Sequence, residues 1–276
     1  RDVVPGAAWL SEKLIGLSQQ RTLPRWHASP FSNEEQASDF AVLDPELDVV
    51  LLVDTFNRYF EPNNVRDAIA VLEHGGMNVH IAAQPVGERP ICCGRTFLSA
   101  GLLDEARHEL GRCVAALLPF AQAGVPIVGL EPSCLLTMRD ELTSLFPGAD
   151  ATAITEHAVL FEELLDSRLK SGAIQLPLQA LPEKQALLHG HCHQKAFDAL
   201  TPAASVLAQI PELEVEIVNT SCCGMAGAFG YEADNYEISM KMAEIDLLPA
   251  VRCAQQKTLI VADGTSCRHQ IEHGTG

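Results

Sequence analysis

The chain has 276 residues, 47% of them hydrophobic, and a formal net charge of −17 from 36 acidic and 19 basic side chains. That balance opposes binding to nucleic acid or to an anionic membrane surface, and no dense Lys/Arg run offsets it. Apolar runs are short and none reaches the length of a membrane span. Nine cysteines without a visible secretory leader point to a reducing compartment, where thiols act as ligands or catalysts. A start at Arg1, not Met, reads as a fragment or processed product of a longer chain.

Residues 1–45 read as a polar, partly helical connector, with a short helix around Trp9–Gln19 and interruptions at Pro24, Pro30 and Pro45. From Leu47 a strand–helix alternation begins. Asp48–Val53 is a continuous apolar run suited to a strand buried on both faces. Helical spacing follows over Asn64–His74, stopped by Gly75-Gly76, and Asn78–Ala82 is the next strand. Cys92-Cys93-Gly94 makes a turn, Gly101–Gln122 a long amphipathic helix, and Pro126–Leu130 a third strand ending near Cys134.

A second round runs in the same order. Ala186–His189 leads into Gly190-His191-Cys192-His193, Pro202–Gln209 is helical and Leu213–Val218 extended. Cys222-Cys223-Gly224 then precedes a helix over Asp234–Cys253, and Thr258–Ala262 closes the round before Cys267. The interval is 41 residues from Cys93 to Cys134 and 44 from Cys223 to Cys267. The expected fold is α/β, with two repeated Rossmann-like halves related by pseudo-two-fold duplication. Each half has a small parallel sheet and crossover helices. The halves are 46–150 and 183–276, and 151–182 is a linking helix and loop.

Neighbouring cysteines are poorly spaced for a disulfide but well placed as paired metal ligands. The glycine after each pair frees a φ > 0 turn that lets backbone N–H groups approach sulfur. In open α/β sheets, sites form at the C-terminal strand ends, where these cysteines fall. The second round supplies Cys192, Cys222, Cys223 and Cys267, a set suited to a cubane cluster or tetrahedral zinc. The first supplies Cys92, Cys93 and Cys134, with Phe56 in register with Cys192. Cys113 and Cys253 read as ordinary helix residues.

His189, His191 and His193 are placed to tune a cluster by hydrogen bonding to sulfur, or to bond locally to backbone. Arg95, Lys195 and Arg268 stand within a few residues of the proposed ligands and offer charge compensation. The glycine-rich run Gly224–Gly230 matches neither a dinucleotide nor a Walker phosphate loop.

Six segments carry a family resemblance: Asp54–Tyr59, Cys92–Arg95, Gly129–Leu136, His189–Ala196, Ser221–Gly227 and Ala262–Gln270. Together they resemble the tandem cysteine-rich CCG domain module, known from the B subunit of heterodisulfide reductase. Iron–sulfur subunits of glycolate oxidase, lactate-utilisation enzymes and anaerobic glycerol-3-phosphate dehydrogenase carry similar pairs. The C-terminal part of bacterial FAD-linked D-2-hydroxyacid dehydrogenases, including the D-lactate dehydrogenase type, is more similar still.

The resemblance implies an iron–sulfur electron-transfer module, expected to hold a 4Fe–4S cluster, with zinc as the alternative. In such enzymes FAD, here on another portion of the polypeptide, oxidises D-lactate, glycolate or D-2-hydroxyglutarate. The implied partners are flavin and ferredoxin-like domains and a quinone or cytochrome acceptor, with no nucleic acid and no membrane span. The expected location is cytoplasmic, peripheral to the inner face of the cell membrane. This segment alone shows no flavin fingerprint and no catalytic residue for the substrate.

One departure stands out. The fuller pattern ends each round in Cys-x-x-Cys, whereas Glu131 and Gly264 hold the earlier position here, which counts against five-cysteine ligation of a non-cubane cluster. A structural zinc module and a thiol/disulfide reductase acting through its cysteine pairs remain the other two readings.

Overall fold

A computed structural model of the chain describes residues 3–36, 42–82 and 87–276. Residues 1–2 and 37–41 of the segment read as a connector lie outside the described residues. The chain packs as two compact units, one formed by 26–177 and the other by 3–25 together with 178–276.

In the unit 26–177, strands β1 (Asp48–Leu52), β2 (Asn78–Ile81), β3 (Ile127–Gly129) and β4 (Ala158–Leu160) form a parallel sheet in the order β2-β1-β3-β4. Every residue of β1 is buried, as a strand flanked by neighbours and covered on both faces must be. Helix Pro62–His74 buries Val65, Ala68, Ile69 and Leu72, a stripe at three- and four-residue spacing. Helix Leu103–Gln122 does the same with Ala106, Leu110, Cys113 and Leu117. Each Val, Ile or Leu among these contributes roughly 1.5–3 kcal/mol if fully removed from water, and each Ala about 0.8 kcal/mol.

β4 corrects the sequence reading, which assigned the stretch after Ala151 only a helix and a loop. Its three residues, Ala158, Val159 and Leu160, pair with Ile127, Val128 and Gly129. So short an apolar run carries no period of its own, and only the neighbouring strand makes it extended.

In the other unit, β5 (Gln185–His189), β6 (Glu214–Ile217) and β7 (Thr258–Ala262) form a parallel sheet in the order β6-β5-β7. β6 is an edge strand, and its exposed Glu214 and Glu216 discourage pairing with another chain. The expected single helix over 234–253 is two, Tyr236–Ala243 and Leu247–Cys253. Pro249 explains the break, because it lacks the N–H of a helix interior but fits a first turn.

Residues 3–25 are more than a connector. After helix Ala7–Ile15, Leu17 makes an antiparallel bridge with Glu232. Arg21 is buried, donating from Nε to the Gly230 carbonyl at 2.9 Å and from Nη2 to Ser239 Oγ at 3.0 Å. Among the described residues, no helix is long and apolar enough to cross a membrane.

Candidate metal centre

Three loops leave the C-terminal edge of the β6-β5-β7 sheet and bring the second set of cysteines together. β5 ends at His189, and Cys192 opens the short helix Cys192–Ala196. His191 caps that helix, its Nδ1 accepting from the His193 N–H at 3.2 Å, while Gln194 Oε1 accepts from the His191 N–H at 2.9 Å. Beyond β7, helix Thr265–Thr275 carries Cys267 in its first turn. The Cys222-Cys223 turn lies between these two helices.

The side chains form an unbroken row: Cys192 meets Cys222, Cys222 meets Cys223, and Cys223 meets Cys267. The Cys223 and Cys267 sulfurs are 3.5 Å apart. A ring nitrogen of His189 and the sulfurs of Cys223 and Cys267 all lie within 4.8 Å of one another. Since Nδ1 of His189 is engaged by Thr220 Oγ1 at 2.8 Å, the buried Nε2 is the nitrogen left for sulfur.

Backbone amides reach the same atoms. The Gly224 N–H donates to Cys222 Sγ at 3.3 Å, and the Met225 N–H to the Cys223 sulfur. Gly224 has φ 88°, and a Cβ there would sit 2.3 Å from the Ser239 carbonyl oxygen. Only glycine permits this turn.

Packing thiols this closely splits their acidities. Hydrogen bonds from Cys192 and Cys223 hold Cys222 far below the ordinary thiol range. Cys267 is also held down, by its hydrogen-bond contact with Cys223 and then by His189. As donors within buried surroundings, Cys192 and Cys223 are pushed up. Thiolates packed this closely repel one another, and a cation among the sulfurs would offset that repulsion.

In the unit 26–177, Cys92 meets Cys93, and Cys93 meets Cys134. The Gly94 N–H bonds the Cys92 sulfur and the Arg95 N–H the Cys93 sulfur. Gly94 has φ 76°, with a hypothetical Cβ 2.9 Å from the Ala106 carbonyl oxygen. Phe56 does not stand where Cys192 does. Its ring lies 6.4 Å from that of Phe60, and it is Thr55 whose side chain hydrogen-bonds Cys92. The expected register is one residue out because the strand, read as running to Val53, ends at Leu52, and helix Thr55–Tyr59 begins after the Asp54 cap.

The surroundings of the two sets differ in charge. Cys134 receives a hydrogen bond from Cys93, which lowers its pKa, but burial and the nearby Asp54 and Glu131 carboxyls push it up to about 12. Cys267 instead has His189 beside it, and Cys222 has His191.

The three basic residues near the cysteines have structural engagements. Lys195 Nζ donates to the carbonyls of Thr220 at 2.6 Å and Ser221 at 3.0 Å, holding the strand of backbone that enters the Cys222 turn. Arg268 Nη1 donates to the carbonyls of Ala262 and Asp263, at 2.7 and 2.6 Å, just before the Cys267 helix. Arg95 pairs with Glu141. Cys113, read as an ordinary helix residue, donates from Sγ to the Cys92 carbonyl at 3.1 Å and so steadies the first turn. Cys253 is exposed.

The Gly224–Gly230 run is a packing device. A Cβ at Gly230 would meet Met225 Sδ at 2.4 Å and Ser239 Oγ at 2.8 Å. Rows of sulfur lined by amide N–H and an imidazole nitrogen form a donor set suited to a thiophilic metal or iron–sulfur centre.

No protein-family model matches the chain. It is 26% identical over 277 residues to the C subunit of anaerobic glycerol-3-phosphate dehydrogenase of Escherichia coli (strain K12), a match spanning 96% of this chain and 65% of that protein. It is 28% identical over 287 residues to the "D-2-hydroxyglutarate dehydrogenase" of the same organism, spanning 97% of this chain and 26% of the relative. A third similar protein is the "Lactate utilization protein A" of Bacillus velezensis, 26% identical over 227 residues and matched over 79% of this chain and 87% of its own length. The chain thus spans slightly under two thirds of the first relative and about a quarter of the second.

Proposed function

We propose that the chain is the iron–sulfur electron-transfer module of an FAD-dependent D-2-hydroxyacid dehydrogenase. The observation that carries this reading is the buried row Cys192–Cys222–Cys223–Cys267, with amide N–H groups and His189 directed at its sulfurs. In this reading those four thiolates hold a cluster of 4Fe–4S type, and Cys92, Cys93 and Cys134 ligate a second centre. When bound, such a centre accepts and releases single electrons.

The protein's own contribution is to ligate, to bury and to tune. Cys223 and Cys267 are shut away from water, while Cys192 and Cys222 stay partly accessible, which gives electrons a short exit. N–H groups of Gly224 and Met225 stabilise negative sulfur and so favour the reduced state. Lys195 and Arg268 fix the two loops that present the ligands.

The relatives support the electron-carrier role over a substrate-binding one. Their names point to glycerol 3-phosphate, 2-hydroxyglutarate and lactate, yet each match covers 79% or more of this chain. A segment shared across three substrates is better suited to carrying electrons away after oxidation than to choosing the substrate. FAD and the D-lactate, glycolate or D-2-hydroxyglutarate site belong, in this reading, to another part of the polypeptide or to a partner subunit. The acceptor is a quinone or cytochrome, and the module sits in the cytoplasm, peripheral to the membrane.

We also propose that residues 46–150 and 183–276 are CCG-type halves related by duplication, with 1–45 preceding them and 151–182 linking them. The matching strand orders β2-β1-β3 and β6-β5-β7 support this.

Anaerobic purification tests the reading. The expected product is brown, with broad visible absorption bleached by dithionite. Colourless protein containing stoichiometric zinc would instead favour the structural zinc module. Reduction of a small disulfide that survives metal removal would favour the thiol reductase.

A further inference from the structure

Thr55 occupies the place in the first unit that Cys192 occupies in the second. Leu52 ends β1 three residues before Thr55, as His189 ends β5 three residues before Cys192. Asp54 and His191 are the respective side-chain N-caps, so Thr55 and Cys192 are each the first residue of a short helix. The Thr55 side chain bonds Cys92, the first cysteine of its pair, just as Cys192 bonds Cys222. Exposure matches too: Thr55, Cys192, Cys92 and Cys222 are half-buried, and Cys93, Cys223, Cys134 and Cys267 are buried.

Resting on the iron–sulfur reading above, we propose that the hydroxyl of Thr55 is the fourth donor of the first centre, which makes that centre's fourth position exchangeable. Pairwise contacts run from Thr55 to Cys92, Cys93 and Cys134, as they run from Cys192 to Cys222, Cys223 and Cys267 in the second unit. An aliphatic alcohol binds iron less firmly than a thiolate does, since it is neutral unless deprotonated and is the harder donor. The donor set therefore carries one negative charge fewer than four thiolates. Buried Asp54 and Glu131 stand near Cys134, whereas His189 and His191 stand beside the second set. The two units are thereby built to hold unlike centres, one fully held by sulfur and the other open at Thr55.

The test uses the full chain, reconstituted anaerobically with iron and sulfide, in wild type and in Thr55→Cys, Thr55→Ser and Cys192→Thr. Iron remaining per chain is followed during a fixed exposure to a ferrous-iron chelator, and circular dichroism checks the fold. Wild type is expected to release iron in a fast and a slow phase. Thr55→Cys should abolish the fast phase, Thr55→Ser should preserve it, and Cys192→Thr should enlarge it. If Thr55→Cys binds iron and sulfide as wild type does but releases iron along an unchanged time course, the Thr55 assignment falls and the cluster reading survives. If wild type takes up neither iron nor sulfide, both fall together.

Discussion

The sulfur of Cys267 lies 3.5 Å from that of Cys223, although 44 residues of chain separate them. Two loops, each leaving a parallel strand at its C-terminal end, make this meeting. The loops are held from outside the sulfur row by Lys195 and Arg268, whose cationic groups bind backbone carbonyls. Where the sulfurs sit is therefore set by turn sterics and by contacts beyond the cysteines themselves.

The glycine of each cysteine pair is a steric requirement. Gly224→Ala places a Cβ 2.3 Å from the Ser239 carbonyl in a left-handed backbone, whereas Gly94→Ala meets the Ala106 carbonyl at 2.9 Å. Denaturant unfolding should show a loss of about 3 kcal/mol or more for Gly224→Ala and a smaller one for Gly94→Ala. Gly227→Ala, also at positive φ but with nothing within 4 Å, should cost only about 1 kcal/mol. Equal costs at the three positions would refute the steric account.

His189 should set the potential of the centre without being needed for the fold. Its Nδ1 is held by Thr220 and its Nε2 faces Cys223 and Cys267. Removing a polar N–H from sulfur disfavours the reduced, more negative state. A redox titration of His189→Leu should give a lower midpoint potential than wild type, and Thr220→Val a smaller shift of the same sign. An unchanged potential in His189→Leu would rule out this tuning role.

Lys195 should govern how long the ligand loop keeps its shape. Lys195→Met removes hydrogen bonds to the Thr220 and Ser221 carbonyls. Hydrogen exchange should quicken by about tenfold or more in residues 219–224 for each 1.4 kcal/mol of local stability lost. Lys195→Arg should restore protection only in part, since a planar fork cannot replace a compact ammonium among three oxygens. No change in exchange would show that the contacts are idle.

Asp48 should contribute to the acid limb of stability in the unit 26–177. Burial pushes its carboxyl up, but the Asp44 N–H, Asn78 and His80 outweigh that and hold it below the ordinary value of 3.8. A carboxylate whose folded pKa is depressed stabilises fully above the unfolded value, and the contribution disappears as pH falls through the folded one. Unfolding free energy of wild type should therefore drop more steeply than that of Asp48→Asn as pH is lowered below about 4. Parallel curves for the two proteins would contradict this.

Much of the sheet framework was readable in the sequence because the strands are self-announcing. Asp48–Leu52 and Gln185–His189 are central strands, and their apolar runs need no partner to be recognised. β4 was not readable, since Ala158–Leu160 becomes a strand only by pairing with β3. Nor was the role of residues 16–21, because neither the Leu17–Glu232 bridge nor buried Arg21 leaves a local pattern.

The cysteines were legible as a set because a Cys-Cys-Gly turn repeated at strand ends has few other uses. The register error at Phe56 has a specific cause: the apolar run continues to Val53, but β1 ends at Leu52, and the Asp54 cap then starts the helix at Thr55. Asp54 is a recognisable cap that accepts from the Phe56 and Asn57 N–H groups, and counting from it would have selected Thr55. Cys113 carries no such signal, since its bond to the Cys92 carbonyl joins positions 21 residues apart.

The central claim is that the second sulfur row holds iron. The most direct measurement is acid-labile sulfide and iron per chain in anaerobically purified wild type, Cys222→Ser and Cys253→Ser. The account predicts iron and sulfide in near-equal amounts in wild type and in Cys253→Ser, with a marked loss of both in Cys222→Ser. Equal iron and sulfide in all three proteins, or zinc without sulfide in wild type, would contradict it.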